Sequence, residues 1–150
     1  MIKKTCLVLA AAMLSNVALA ADGIVSIESP YSVKETADRF ESILNNKGLT
    51  VFTRINHSQN AAKVELELAP TEVVIFGNPK VGTPLMQCGS TAAIDLPQKA
   101  LFWQDDQGKV WLSYNDPAYL KSRHQLRDCD AVIEKVSGVL GKLSKAATSR

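Results

Sequence analysis

The sequence predicts an α+β sandwich in which one mostly antiparallel sheet carries two long helices on one face, in the order β-α-β4-α. Two segments, one near each end of the chain, repeat apolar residues at helical spacing. Between them lie four short apolar segments with the alternation and bounding turn residues typical of strands. The length of 150 residues fits one such domain.

Residues 1–20 have the features of a cleavable signal peptide. Lys3 and Lys4 precede an apolar segment from Leu7 to Leu14, and Ala18-Leu19-Ala20 fits a small-x-small cleavage site. The apolar segment is too short for a stable membrane span, and no cysteine follows it to take a lipid. We therefore expect a periplasmic protein without a membrane anchor, with one domain over residues 21–150.

The charge balance argues against nucleic acid as a partner. The full chain has 17 basic and 15 acidic residues, and removal of Lys3 and Lys4 with the signal peptide leaves 15 of each. Nucleic-acid binding needs a clustered excess of positive charge, which a net charge of zero does not indicate. A small ligand is not excluded by this balance.

The first part of the domain predicts a strand, a helix, a second strand and a short helix. Ile24 to Glu28 is the first strand. Ser32 and Glu35 form a capping box, so the helix begins at Val33. Its apolar stripe consists of Val33, Ala37, Phe40 and Leu44. Leu49 to Ile55 alternates as a strand does, and Ser58 to Leu66 fits a short helix with Ala61, Ala62 and Leu66 turned inward.

The segment from Thr71 to Gln87 is the least ordinary part of the chain. Val73 and Ile75 point to one side of a strand while Val74 and Phe76 point to the other, which predicts an interior strand covered on both faces. The two long helices would cover one face, and the inserted segments or a second subunit would cover the other. After the turn at 77–79, Thr83 fits a helix N-cap with Pro84 at the first helical position. The amides of Leu85 and Met86 would then either complete an ordinary cap or face an anion.

The last third of the domain predicts a hairpin followed by two helices. Lys99–Gln104 and Lys109–Asn115 flank a turn ending in Gly108, and Trp103 should face the same layer as Trp111. Asp116-Pro117 begins a short helix, and the last helix is expected from Asp128 with a frayed tail over 146–150. Its apolar stripe consists of Cys129, Val132, Val136, Leu140 and Leu143.

Two cysteines, Cys88 and Cys129, remain after the signal peptide is removed. An even count in an oxidising compartment favours a disulfide, which would close a loop of about 40 residues and contribute about 3–4 kcal/mol. Two separate buried thiols are the alternative. Two cysteines without further nearby ligands do not make a zinc site.

Seven short motifs in this order resemble those of the DUF302 family, a domain of unknown function, from about Ile24 to Leu143. The resemblance implies a TATA-binding-protein-like fold and a tendency to form homodimers, and it does not imply DNA binding. The motifs are Ser29-Pro30-Tyr31-Ser32, Arg54-Ile55 with His57, Phe76-Gly77-Asn78-Pro79, Gly82-Thr83-Pro84-Leu85-Met86, Asp95-Leu96-Pro97, Tyr114-Asn115-Asp116-Pro117 and Arg123-His124.

Two positions depart from the family pattern. Asn56 stands where an Asp usually precedes His57, so if an Asp–His pair does acid–base chemistry in the family, this chain lacks its carboxylate. Cys88-Gly89-Ser90 replaces a more ordinary turn. Cys88 is therefore particular to this chain, and with Cys129 it favours a disulfide over a redox role common to the family.

The sequence has only two histidines, His57 and His124. Both are expected at the sheet end near the turn at 77–83, where Asp95 or Asp116 would supply a third metal ligand. Ordinary hydrogen-bonded histidines are the competing interpretation, because no ligand-like spacing is present. No nucleophile with a neighbouring base is evident, so we predict no catalytic residue, metal or cofactor.

Three functions remain open from the sequence. The first is an exported module that binds or senses a small anionic ligand, and its candidate site residues are Arg54, His57, Asn78, Thr83 and His124. The second is a homodimeric structural or interaction protein of the cell envelope, with Trp103 or Tyr119 at the partner surface. The third is a metal- or redox-linked enzyme.

Overall fold

The computed structural model describes residues 23–150, so the signal peptide predicted over residues 1–20 lies outside the described residues. Eleven helices and strands follow one another along the described part of the chain. They are β1 (Ile24–Ser29), α1 (Val33–Asn46), β2 (Thr50–Asn56), α2 (His57–Ala62), β3 (Thr71–Gly77), α3 (Pro79–Cys88), a 3₁₀ helix (Ser90–Ile94), β4 (Gln98–Gln104), β5 (Val110–Asn115), α4 (Pro117–Arg123) and α5 (Asp130–Thr148).

The five strands form one antiparallel sheet in the order β1-β5-β4-β3-β2. The first strand, β1, pairs with the last strand, β5, and Ile24 lies opposite Asn115. This pairing joins the two strands that are farthest apart along the chain. β3 lies between β2 and β4, as expected for an interior strand. The α+β class and the β-α-β4-α order predicted from the sequence are confirmed.

Helices α1 and α5 pack on one face of the sheet and bury the core. Phe40 of α1 is 1 % exposed, and its ring lies edge-on to Phe76 and Phe102 at centroid distances of 5.2 and 5.5 Å. Edge-on aromatic pairs at this separation stabilise a core beyond the area that they bury. The α1 stripe is buried as predicted, because its residues recur with the period of the helix.

The other face of the sheet is only half covered in residues 23–150. Val74 and Phe76 are buried against the helices, whereas Val73 and Ile75 are half-buried. Within the described chain the inserted segments leave this face half covered, and its cover by a second subunit remains a prediction. On the half-covered face Trp103 lies directly opposite Trp111, with stacked rings 6.4 Å apart, which confirms the predicted aromatic pair.

The start of α3 differs from the prediction. Asn78 is the N-cap, and its Oδ1 accepts a hydrogen bond of 2.9 Å from the Lys80 amide. Pro79 occupies the first turn, so Thr83 and Pro84 lie inside the helix rather than at its start. The amides of Leu85 and Met86 are directed along the helix toward the preceding turn. The anion pocket suggested at these two amides is therefore wrong.

Two other helices have different bounds from those predicted. α2 ends at Ala62 and buries no residue, and Leu66 is 65 % exposed rather than turned inward. α5 begins at Asp130 and continues to Thr148, with Ala147 fully buried. The expected fraying does not start at residue 146, because the last turn of α5 is packed into the core.

Cys88 and Cys129 form a disulfide, as predicted. Their Cα atoms lie 6.4 Å apart and the residues are 41 positions apart in sequence. Cys88 is the last residue of α3 and Cys129 immediately precedes α5. The bond therefore fixes the end of α3 to the start of α5.

We expect the double variant Cys88→Ala, Cys129→Ala to lose about 4 kcal/mol of unfolding free energy, because the closed loop restricts the unfolded chain. Guanidinium unfolding monitored by circular dichroism measures this loss. Wild-type protein in excess reductant is the matched control and should show a similar loss. A change below about 1 kcal/mol would contradict a stabilising role for the bond.

Candidate functional site

A cavity of about 270 Å³ lies at the end of the sheet where β3 finishes and β4 begins. It is partly open to solvent and is bordered by α3 with the segments before and after it, by one side of α5, and by Leu49 and Phe52 near the start of β2. Its lining residues are Leu49, Phe52, Phe76, Gly77, Asn78, Pro79, Val81, Gly82, Thr83, Leu85, Met86, Ala93, Leu96, Pro97, Gln98, Lys135, Val136, Val139 and Leu140.

The walls of the cavity are apolar because two helices turn apolar faces toward each other. α5 contributes Val136, Val139 and Leu140, which recur at helical spacing. α3 contributes Leu85, which is 2 % exposed, and the sheet contributes Phe76. Outside the lining, Gly89 directly after α3 allows close packing against Leu126, since a Cβ there would lie 2.6 Å from Cδ2 of Leu126.

Few polar groups reach this cavity. Lys135 is its one charged lining residue, and no Asp or Glu is among the lining residues. Gln98 also lines it, and the buried Nε2 of Gln98 has no hydrogen-bond partner in the described part of the chain. The cavity therefore offers hydrogen-bond donors and one positive charge beside apolar walls.

The structure brings together two of the five predicted site residues. Asn78 and Thr83 both line the cavity. The Oδ1 of Asn78 is occupied by its capping bond to Lys80, so this residue shapes the corner that leads into α3. The other three predicted residues, Arg54, His57 and His124, do not line the cavity.

Arg54 lies on β2 and is bound by carboxylates. Its Nε lies 2.6 Å from Glu72 Oε2, and its Nη1 lies 2.6 Å from Asp38 Oδ1 and 3.4 Å from Glu41 Oε2. Burial opposes the charge of Arg54, but the hydrogen bonds that Arg54 donates to Asp38 and Glu72 outweigh this effect, and the pKa of Arg54 is raised. With Lys34 also present, three carboxylates face two cations, which leaves no surplus positive charge for an anion.

The two histidines lie at opposite ends of the sheet. His57 follows β2 and is exposed, and β2 runs antiparallel to β3 with Asn56 opposite Glu72. From Glu72 to Gly77 the strand spans about 17 Å, so His57 is far from the cavity. The expectation that His57 and His124 share one end is wrong. Within residues 23–150 no group of three His, Cys, Asp or Glu side chains is placed to hold a metal ion.

His124 holds the segment that forms one wall of the cavity. Its Nε2 lies 2.6 Å from Asp95 Oδ2, its Nδ1 lies 3.1 Å from Thr91 Oγ1, and its side chain is only 5 % exposed. Thr91 belongs to the 3₁₀ helix, and Asp95 directly follows it. His124 therefore positions the segment that supplies Ala93 and Leu96 to the cavity.

The sequence analysis missed the residues that do most to define this site. The sequence places Val136 and Leu140 in a core stripe, and it gives no reason to single out Lys135, Thr91 or Gln98. Only the neighbouring pattern of Lys135, Val136, Val139 and Leu140 on one side of a helix was available as a signal. This pattern does not show that α3 and α5 leave a space between each other.

A protein-family model described as "Domain of unknown function DUF302" matches residues 25–143. The chain belongs to the DUF302 family. The fold agrees with a crystal structure of an uncharacterized conserved DUF302 protein from Bacillus stearothermophilus, at a TM-score of 0.68 and 17 % identity, covering 85 % of this chain and 97 % of that chain. At this identity the likeness extends to the fold alone.

Curated relatives of this DUF302 chain are similar over 126 residues. "Fluoride-specific ion channel FluC 1" of Brucella suis and "Fluoride-specific ion channel FluC 2" of Brucella melitensis are both 45 % identical to it over 83 % of its length. The matched region is 50 % of the first and 47 % of the second, so the chain spans about half the length of these relatives. In the range 23–150, no helix is both long and apolar enough to cross a bilayer.

Export, homodimer formation and a small anionic ligand remain predictions after these comparisons. Neither the fold nor the family match tests them.

We expect Arg54→Met to lower the unfolding free energy by about 3 kcal/mol, because Glu72, whose side chain is 8 % exposed, loses its cation. Lys109→Met is the matched control, since its partner Glu28 is exposed and 3.4 Å away, and should change stability by about 0.5 kcal/mol or less. Urea unfolding of both variants gives the comparison.

The contribution of Asp38 to the unfolding free energy depends on pH, and the sign of this dependence follows from its pKa. Hydrogen bonds from Lys34 and then Arg54 lower the pKa of Asp38 below its ordinary value of 3.8. Its contribution is present above pH 3.8 and is lost as the pH falls through the lowered pKa. Equal effects of Arg54→Met and Lys109→Met at neutral pH would contradict the assignment of a buried ion cluster.

Proposed function

We propose that this DUF302 domain is an exported binding module that holds a small, mainly apolar ligand in the cavity between α3 and α5. The observation that supports the proposal is the cavity itself, which has a volume of about 270 Å³ and walls of Leu, Val, Phe and Met. Most binding sites for small molecules are concave, apolar and furnished with a few polar groups. This cavity has each of those properties.

The volume limits the size of the ligand. An apolar cavity of about 150 Å³ in another protein binds benzene, so a cavity of 270 Å³ suits about ten non-hydrogen atoms. Burial of an eight-carbon chain contributes about 6 kcal/mol before the costs of association are deducted. After those costs are deducted, we expect dissociation constants of about 0.1 mM or weaker for simple ligands.

The walls also explain why the ligand would stay in one place. α3 is fixed to α5 by the Cys88–Cys129 disulfide, and the 3₁₀ helix is fixed by His124. A site whose walls are fixed before binding loses less entropy when the ligand enters. The proposal therefore assigns the disulfide a part in binding as well as in stability.

We expect Gly82→Leu to weaken binding of octan-1-ol at least about tenfold, because a leucine there occupies cavity volume. Gly82 lines the cavity, and a Cβ at this position meets no atom within 4 Å. Isothermal titration calorimetry or methyl-detected NMR measures the affinity. Replacing a helical glycine should also raise the unfolding free energy by about 0.8 kcal/mol, so lost binding would not reflect unfolding.

Gly138→Leu is the matched control for this experiment. Gly138 lies in α5, its Cβ would also meet nothing within 4 Å, and it does not line the cavity. This variant should gain similar stability and keep wild-type affinity. Equal affinity of wild type and both variants would contradict binding in the cavity.

A second candidate function rests on the Brucella relatives. Both have the name of a fluoride-specific ion channel and contain a region 45 % identical to this chain. We propose that this domain works beside a fluoride channel, because joining two modules in one polypeptide maintains a high effective concentration of each for the other.

We expect deletion of the gene for this chain to lower the fluoride concentration that stops growth of its host, with chloride as the matched control. Wild-type protein should restore growth, and Gly82→Leu should not if the cavity serves the same function. Unchanged fluoride tolerance in the deletion strain would contradict the second function and leave the first in place.

A further inference from the structure

We propose that the ligand of this cavity is a monocarboxylate with an apolar chain of about eight carbons, whose carboxylate is bound by Lys135. This inference rests on the proposed binding function and adds the chemical class of the ligand. It follows from the charge at the cavity and from the volume of the cavity, and an unpaired donor on a lining residue supports it.

Among the described residues, the lining of the cavity carries a single charge, which is positive. Lys135 is the only charged residue in the lining, and it is an exposed residue of α5, beside Val139, which is 39 % exposed. The buried wall formed by Leu85 and Leu140 lies deeper. A charged group is therefore stable at the entrance, while the interior suits only an uncharged chain.

The ammonium group of Lys135 is available for a ligand. In residues 23–150 no carboxylate lies within 4.0 Å of it to form an ion pair, in contrast to Lys34, Lys109 and Lys121. Side chains three and four positions away on a helix are its natural partners, and here they are Ala131, Val132, Gly138 and Val139. None of them is acidic.

Gln98 is a second lining residue with a hydrogen-bond donor that has no partner in the described chain. The buried Nε2 of Gln98 lacks an acceptor, although Gln98 lines the cavity. Buried amide donors are nearly always paired, because an unpaired one costs about 1–3 kcal/mol. A carboxylate only accepts hydrogen bonds, so it suits Lys135 at the entrance and a lining that carries donors and no acidic group.

Octanoate and octan-1-ol separate the charge from the apolar chain. Both have about ten non-hydrogen atoms, which matches the volume, and only octanoate is charged at neutral pH. Calorimetric titration of the oxidised full-length mature protein with each compound gives the two affinities. We expect wild type to bind octanoate about fivefold more tightly than octan-1-ol, the value of a partly exposed ion pair.

Lys135→Met removes the charge and keeps most of the side-chain volume. It should weaken octanoate binding about fivefold and leave octan-1-ol binding unchanged, so the alcohol reports an intact cavity. Lys135→Glu should weaken octanoate binding further, because it places like charges together. Lys142→Met is the matched control on the same helix, outside the lining, and should change neither affinity.

The outcomes separate this inference from the function on which it rests. A preference for octanoate that disappears in Lys135→Met supports the inference. Equal binding of octanoate and octan-1-ol by wild type and Lys135→Met overturns it while the binding function stands. Failure of wild type to bind either compound overturns both.

Discussion

The cavity depends on one covalent constraint, the Cys88–Cys129 disulfide between the end of α3 and the start of α5. α1 and α5 are held by the sheet, because they bury apolar stripes on one of its faces. α3 instead lies beyond the end of the sheet and buries only Leu85 completely. A helix with so little buried surface needs another attachment, and the disulfide provides it. The Asp95–His124 hydrogen bond then fixes the next segment, so both movable walls are tied to the helical layer.

Electrostatics decides which parts of the domain can receive a ligand. At Arg54 the cation is saturated by Asp38, Glu41 and Glu72, so that cluster stabilises the joint between α1 and β2. At the cavity the single cation, Lys135, has no carboxylate beside it in the part of the chain that the structure describes. A cation that is already paired with protein carboxylates contributes little to the binding of an external anion, whereas an unpaired cation contributes more. A positive charge without a carboxylate partner within residues 23–150 therefore lies beside the apolar volume.

The fold follows from local patterns in the sequence, and most of the site does not. Three features of the sequence predict parts of the fold correctly. They are the period of the α1 stripe, the alternation of β4 and β5, and the even cysteine count. Thr83 was misplaced because Asn78-Pro79 and Thr83-Pro84 are both good helix starts, and only the packing of α3 selects the first. Lys135 and Gln98 come from α5 and β4, far apart in sequence, so their convergence is a tertiary property that no local pattern contains. The prediction that His57 and His124 lie at the same end of the sheet was wrong for the same reason, since the strand directions separate them.

The most direct test of this account is an intermolecular NOE experiment with octanoate and methyl-labelled, oxidised protein. The account predicts contacts from the octyl chain to methyl groups of Leu85, Val136 and Leu140, and loss of these contacts after reduction of the disulfide. Contacts confined to the exposed residues Leu66 and Leu68, or contacts unchanged by reduction, would contradict the claim that a disulfide-braced cavity is the binding site.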